Sequence, residues 1–537
     1  MDKRRYNIYF NTHAVSGICI AMLLFVVFFA GAFSFFRDDI GAWQRGKSAI
    51  AEPVEPDFNT LLDSMGALYN LQGRDFDFFL LRHNLGTYVS MSASKDTLLL
   101  ADTLALKEGY TAKDAAYFLY YFKDKMPTTY AKAYDLGEFL YRLHFLAPLN
   151  KVPLNWGLPF GYMLAGMVAF VFLFALITGV FLHWDKIKSN FFIFRPFSKW
   201  KTVWTDMHTA LGVVGFPFQF WFALTGIGLI ANITLQKPFT KLFYEDDVNL
   251  YNEQLRYSYT LDAEYLYTAL PQNIDLNAIV GKWQHTWRGS RISRVYIRNF
   301  QDRGMEIGME AQPLAGANFA GSGFVKINVA DNTVTEVKSP LSDIDYVDGV
   351  KALIYRIHFG DFGGRALHFT MFVLGMMGCM VIISGLLIWL IGRDKPGIAP
   401  AKRRFNYWAC KLMLAVCMGM LPVTAFSFIM VKVLPQTNQD ILYGLYFYSW
   451  MLIILFFMLL KNLESILRWM LLLSMLFAFL VPLVNGLMSG LWLWKGMQNA
   501  AWDLVSIDLL FLGISLACGI ALIQLRRRSP TSSTAVV

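Results

Sequence analysis

Eight long apolar runs constrain this chain more than any other feature. Residues 14–36, 159–183, 207–232, 366–392, 406–433, 441–460, 469–490 and 503–525 are each predominantly apolar. A helix needs about 20 such residues to cross roughly 30 Å of hydrocarbon, and inside that layer its backbone must satisfy itself. One large soluble core would be the alternative. Composition argues against it, because only 16% of the 537 residues are charged, whereas a soluble domain carries about a quarter. The expected fold class is therefore a predominantly α membrane protein with eight transmembrane helices. The first run is too long for a signal-peptide core, and Phe33, Phe35 and Phe36 stand where a cleavage site needs small residues.

Basic residues set the expected orientation. Lys3, Arg4 and Arg5 precede the first run. Lys186, Lys188, Arg195, Lys199 and Lys201 lie between the second and third. Arg393, Lys395, Lys402, Arg403 and Arg404 follow the fourth, and Arg526, Arg527 and Arg528 follow the eighth. All four groups fall on one side of an eight-span arrangement, so that side is expected to be the cytoplasm of a bacterium and the bilayer its inner membrane. Both termini would then be cytoplasmic. The net charge of +9 is a topology signal of this kind, with no nucleic-acid partner implied. Cys19, Cys379, Cys410, Cys417 and Cys518 all lie in the apolar runs, so no disulfide framework is expected outside the membrane.

The runs divide the chain. Residues 1–37 carry the first span, 38–155 an outer domain, and 156–235 the second and third spans with a basic loop. Residues 236–358 carry a second outer domain, 359–395 the fourth span, and 396–537 four more. Both outer segments read as small α+β domains. In the first, "GTYVSMSASKDTLLLAD" reads as strands and "TAKDAAYFLYYFKDKM" as an amphipathic helix. In the second, "SRVYIRN", "GMEIGME", "FVKINVA" and "TVTEVK" alternate as half-buried strands do, with "VADNTV" as a hairpin turn. The first four spans look duplicated. His13 and Gly17 open span one as His208 and Gly212 open span three. "YRLHF" (141–145) precedes span two as "YRIHF" (355–359) precedes span four, and "ITGVFLHWDK" is echoed by "ISGLLIWLIGRDK". Two spans per unit give both copies the same topology, as in parallel repeats. Residues 396–537 hold no histidine, and buried charge is expected to be scarce there.

Histidine placement carries the chemistry. Of eight histidines, His13, His144, His183, His208, His358 and His368 lie in or beside the first four spans, where ionisable groups are costly and point to function. His13, His183 and His208 map to the inner ends of spans, and His144 and His358 to the outer boundary. A proton path or a bare metal cage would want carboxylates or thiolates among them. Heme needs only imidazoles on facing helices and an apolar slot, so two b-type hemes, one near each face, are the expected cofactors. Symmetry pairs His13 with His208 and His144 with His358. His183 competes for the inner site and His368 for the outer one. Arg142 and Arg356, two residues before the outer histidines, would bind heme propionates bidentately. Interfacial anchoring by Tyr141/Arg142 and Tyr355/Arg356 is the simpler alternative.

On His13-x-x-x-Gly17, "LHF" (143–145), "TGVFLHW" with "FFIFRPFSKWKTVWTDMHTALGVVGFPFQ" (178–219) and "IHFGDFGGRALHF" (357–369), the chain resembles the iron-regulated PepSY-associated transmembrane proteins. The resemblance implies a four-helix core with PepSY-like periplasmic domains. In some relatives it implies a heme-containing reductase of ferric siderophores, and it singles out His183 and His208. Gln219 stands where the family pattern has histidine. The expected function is an enzyme: a transmembrane ferric reductase passing electrons from a cytoplasmic reductase or membrane quinol to a periplasmic ferric siderophore or other ferric chelate. In "KWQHTWRGSR" (282–291), a strand would put Trp283, His285 and Trp287 on one face, with Arg288 and Arg291 nearby, as a candidate substrate patch. A peptide- or protease-binding membrane protein and a transporter component are the rival readings.

Overall fold

The structure, a computed structural model, describes residues 2–101, 113–153, 159–186, 193–195 and 197–527, except 256, 258, 260, 262, 273 and 315. Lys188 and Arg528 of the orientation argument fall outside the described residues. Eight described helices are long and apolar enough to span a bilayer, and their places match the eight runs. They are α1 (Lys3–Ser34), α5 (Phe160–His183), α6 (Trp200–Phe243), α9 (Gly364–Arg393), α10 (Pro400–Val433), α11 (Gln439–Leu459), α12 (Leu463–Ser489) and α13 (Trp502–Arg527). Five shorter helices are used below: α2 (Arg37–Arg45), α3 (Phe58–Gly66), α4 (Leu136–His144), α7 (Leu276–Thr286) and α8 (Tyr346–Phe359). The chain is a multi-pass membrane protein. The longest of these helices, α6, has 44 residues and runs to Phe243, well past the roughly 20 a crossing requires.

The first four spans close a ring. Helix α1 packs on α5, α5 on α6, α6 on α9, and α9 back on α1. Small residues permit the close approaches, as is usual between membrane helices. A Cβ on Gly375 would come 2.9 Å from that of Ala32, and one on Gly378 would come 2.5 Å from the Phe28 ring. The last four spans form a second bundle, with α10 against α11 and α12, and α12 against α13. Polar side chains tie it to the first. Asp508 of α13 accepts from Trp43 Nε1 at 2.8 Å and from Asn485 Nδ2 at 3.1 Å, while Asp503 accepts from Ser48 Oγ and the Ala49 amide. Lys411, Asp503 and Asp508 are all buried. The expected scarcity of buried charge in this region is thus corrected: each of the three is tolerated because it is hydrogen-bonded, Lys411 by the carbonyls of Met458 and Leu460 that end α11.

The two outer segments do not stand apart. Strands β1 (Phe76–Leu80), β2 (Gly86–Met91), β3 (Ala116–Tyr121) and β4 (Met126–Thr129) come from the first, and β5 (Ser290–Arg298), β6 (Glu306–Pro313), β7 (Gly323–Asn328) and β8 (Thr333–Lys338) from the second. They form one eight-stranded sheet in the order β4-β3-β2-β1-β5-β6-β7-β8. The join is antiparallel, with Phe78 opposite Val295. One core lies on one face, where α3 and α7 cover Phe76, Phe78, Val295, Ile297 and Met309. Pairing β1 with β5 hides two edges that separate domains would have exposed. The strands β5 to β8 and the β7–β8 turn lie where alternation puts them.

Three local readings are corrected. "AYFLYY" is strand β3 rather than part of a helix, because its aromatic residues suit a pleated surface with cover on both sides. Residues 97–101, read as strand, are a short helix. "KWQHTW" closes helix α7 rather than forming a strand. Trp283 in that helix and Trp287 at its C-cap are four residues apart, have tilted rings with centroids 5.0 Å apart, and are buried in the core. His285 points away from them to an exposed surface, where its Nε2 meets Arg288 at 2.7 Å. The tryptophans are therefore packing residues, and the four side chains do not share a face.

Candidate cofactor sites between the membrane helices

His13 and His208, the pair expected at the inner site, are each fixed by a carbonyl of a neighbouring helix. His13 of α1 places Nδ1 2.9 Å from the Ala175 carbonyl of α5, and His208 of α6 places Nδ1 2.9 Å from the Val381 carbonyl of α9. The surroundings repeat as well. Thr178 Oγ1 donates to the same Ala175 carbonyl and Ser384 Oγ to the same Val381 carbonyl, both at 3.0 Å. One residue further on, Gly179 and Gly385 leave room for the rings: a Cβ at either would stand 3.1 Å from the Cε1 of His13 or His208. With Nδ1 committed, Nε2 is left to face inward, and among the described residues it makes no hydrogen bond. Metal-binding histidines are commonly oriented in this way, by a hydrogen bond to the ring nitrogen that does not bind the metal. The two ring centroids are 6.1 Å apart.

The second pair lies on the sheet-bearing side. His144 ends α4 and places Nδ1 2.8 Å from the Val27 carbonyl of α1. His358 of α8 meets Thr225 Oγ1 of α6 at 2.9 Å, and that hydroxyl donates onward to the Trp221 carbonyl, so it accepts from Nδ1–H. Gly31 supplies the space for His144, since a Cβ there would stand 2.6 Å from Nδ1. The centroids of His144 and His358 are 5.9 Å apart. Val27 lies 14 residues beyond His13 along α1, which separates the two layers by roughly 20 Å at 1.5 Å per residue.

These distances test the fit of a heme. An imidazole nitrogen binds a metal at roughly 2 Å, so two rings holding one ion from opposite sides have centroids roughly 6 Å apart. Both pairs meet this. The macrocycle also needs a flat space beside the rings. Gly17 and Gly212 stand four residues after His13 and His208, one turn on along the same helix face, and a Cβ at either would meet nothing within 4 Å. All four histidines are only half-buried although they face into the ring of helices. No cluster of three or more His, Cys, Asp or Glu side chains suits a bare ion among the described residues. The donor set and the space therefore fit heme.

The other candidates sit differently. His183, at the end of α5, is close enough for its charge to be felt at His208 but is not part of the facing pair. His368 is buried between Phe35 and Phe36, with Nδ1 lacking a partner among the described residues. Gln219 is buried in α6, and its Nε2 likewise lacks one. Arg142 and Arg356 flank the sheet-side pair but are already engaged. Arg142 Nε donates to Glu138 at 2.7 Å, and Arg37 reaches the other oxygen of that carboxylate at 2.6 Å. Burial works against the Glu138 charge, yet Arg37 and Arg142 hold its pKa below the usual carboxylate range. Arg356 pairs with Asp361 at 3.0 Å and donates to the carbonyls of Asn318 and Phe319.

Sequence reasoning missed the acceptors Ala175, Val381, Val27 and Thr225 and the clearance at Gly31. Gly179 and Gly385 were visible in the "ITG" and "ISG" echoes. The comparisons with known proteins agree with this division of the chain. No curated protein matches it. The model of the PepSY-associated TM region matches residues 10–391, a stretch that contains every histidine and stops at the end of α9. The chain belongs to the PepSY-associated TM region family.

Proposed function

We propose that this protein is a membrane b-type cytochrome that passes electrons across the bilayer to a ferric siderophore or other ferric chelate on the sheet-bearing side. The observation that carries the proposal is the pair of facing histidine sets, His13/His208 and His144/His358, at 6.1 and 5.9 Å. Heme bound in both places would supply one-electron transfer between the two faces. The chain's own residues fix each imidazole through Nδ1, keep Nε2 basic, and wall the space with apolar helices. If a histidine held the group from each side, the chelate would accept its electron without binding to the protein's own iron. Ferric iron becomes ferrous, and its grip on a hard-oxygen chelate weakens.

The wider reading follows the family. The first four spans and the two outer segments would be a duplication, with the joined sheet as a pair of PepSY-like units. The distribution of basic residues supports a cytoplasmic location for the far side and both termini, in a bacterial inner membrane. A cytoplasmic reductase or a membrane quinol would be the donor.

Proteoliposomes test this. With reductant enclosed and a membrane-impermeant ferric chelate outside, the wild type is expected to generate external Fe(II), and His144→Ala to lose at least tenfold of that rate. Iron accumulating inside vesicles without reductant, and no external Fe(II), would replace the proposal with the transporter reading.

A further inference from the structure

On the side away from the sheet, a groove lies between the two helix bundles. Trp200, Trp204 and Leu387 line it from the first bundle, and Met418, Glu464 and Leu467 from the second. All six belong to helices long and apolar enough to span a bilayer. The groove and its open mouth together hold about 340 Å³, of which only the inner end is enclosed. Its lining is apolar but for Glu464, so most of what fills it must be apolar too.

Three features of the groove point to a ligand. Trp204 is 7% exposed, yet its indole Nε1 has no hydrogen-bond partner among the described residues. A buried indole N–H ordinarily has an acceptor, and leaving one without costs stability. The rings of Trp200 and Trp204 stack at 5.2 Å with their planes 14° apart, which gives the groove a flat wall. Trp204 also precedes His208 by one turn of α6, about 6 Å along the axis, and His208 is the ring that faces His13. On the second bundle's wall, Glu464 pairs with Arg468 at 2.5 Å and keeps its side chain 34% exposed, so its carboxylate can exchange a proton with water.

We infer that this groove binds the ring of a membrane quinol or quinone, with Trp204 Nε1 donating to a ring oxygen. A phospholipid chain would fill an apolar groove but offers the indole no acceptor. A quinone ring is flat, carries oxygen acceptors and arrives on an apolar tail, the mix of apolar contact and few polar groups that small-molecule sites provide. Binding does not depend on the function proposed above; the quinol's role as electron donor rests on it. Oxidation there breaks two quinol O–H bonds and leaves the quinone. The two protons go by way of Glu464 to water on the far side. The two electrons pass, one at a time, to the ferric iron that His13 and His208 would hold.

The test is equilibrium dialysis of short-chain ubiquinone and menaquinone against the full-length protein in detergent. Wild type, Trp204→Phe and Leu467→Trp are compared, with melting temperatures to check the fold. Trp204→Phe keeps an aromatic ring and removes the N–H; Leu467→Trp fills the groove. At least one quinone is expected to bind the wild type, about fivefold more weakly in Trp204→Phe and not at all in Leu467→Trp. Should one variant fail to fold, the other decides. If the protein holds heme, the reduced quinone should reduce it more slowly in both variants, while dithionite reduces all three alike. Glu464→Gln should bind quinone as the wild type does but slow that reduction. Quinone binding by a protein without heme keeps the site and removes the function proposed above. No binding of either quinone, binding indifferent to both variants, or phospholipid held in the groove against added quinone overturns the inference. Where heme is present, that result leaves the proposed function standing with a cytoplasmic reductase as donor.

Discussion

A single hydrogen bond orients each of the four facing histidines, His13, His144, His208 and His358. Nδ1 is fixed on a carbonyl or a hydroxyl, and the ring is left only one nitrogen for a ligand. The glycines that make room for the rings are therefore as specific as the histidines. Gly31→Ala would push a methyl within 2.6 Å of His144 Nδ1. That variant is expected to lose the sheet-side heme and keep the distal one, so its heme content should fall to about half by pyridine hemochrome assay. The Glu138 cluster gives a pH prediction. Its folded pKa is depressed, so its stabilisation is complete above the ordinary glutamate value of about 4.3 and is lost as pH falls through the folded value. Thermal unfolding in detergent should show this loss in the wild type. Glu138→Gln should remove the acid dependence and cost about 3 kcal/mol through the guanidinium groups left behind. At this scale the sequence was legible for side chains and silent for backbone. His13, His144, His208 and His358 announce themselves by type and repetition. The Val27 and Ala175 carbonyls cannot, because every residue has one.

Elements were readable where length alone decides. The eight spans could be placed because no other structure uses 20 apolar residues in a row. Short segments failed for a stated reason: Trp283, His285 and Trp287 satisfy a period of two, and the outer two equally satisfy the four-residue step of a helix. Burial of Trp283 and Trp287 against the sheet chose the helix. The β1–β5 join was not legible either, since each segment carries enough strands to suggest its own sheet. The join has a measurable consequence. Val295 is fully buried opposite Phe78, and Val295→Asp would place an unpaired charge there at a cost of about 3 kcal/mol or more. Limited proteolysis should then open residues 58–130 and 276–338 together. Cleavage confined to the second segment would mean that the two halves fold independently.

Across the whole molecule, the facing histidines lie in one bundle and a second bundle packs against it. The family match ends at residue 391, yet Asp508 and Asp503 reach back to Trp43, Ser48 and Ala49 beside α2. Asp508→Leu would leave Trp43 Nε1 and Asn485 Nδ2 without their shared acceptor, a loss of about 1–3 kcal/mol. A lower melting temperature with unchanged heme content is the expected result, because no histidine touches that contact. The central claim is that two histidine pairs hold two hemes. The most direct measurement is the reduced-minus-oxidised absorption spectrum and heme count of the full-length protein, produced with ample heme supply. Two low-spin b-type hemes per chain are expected, falling to one in His13→Ala and one in His358→Ala. A folded protein without a reducible Soret and α band would contradict the account.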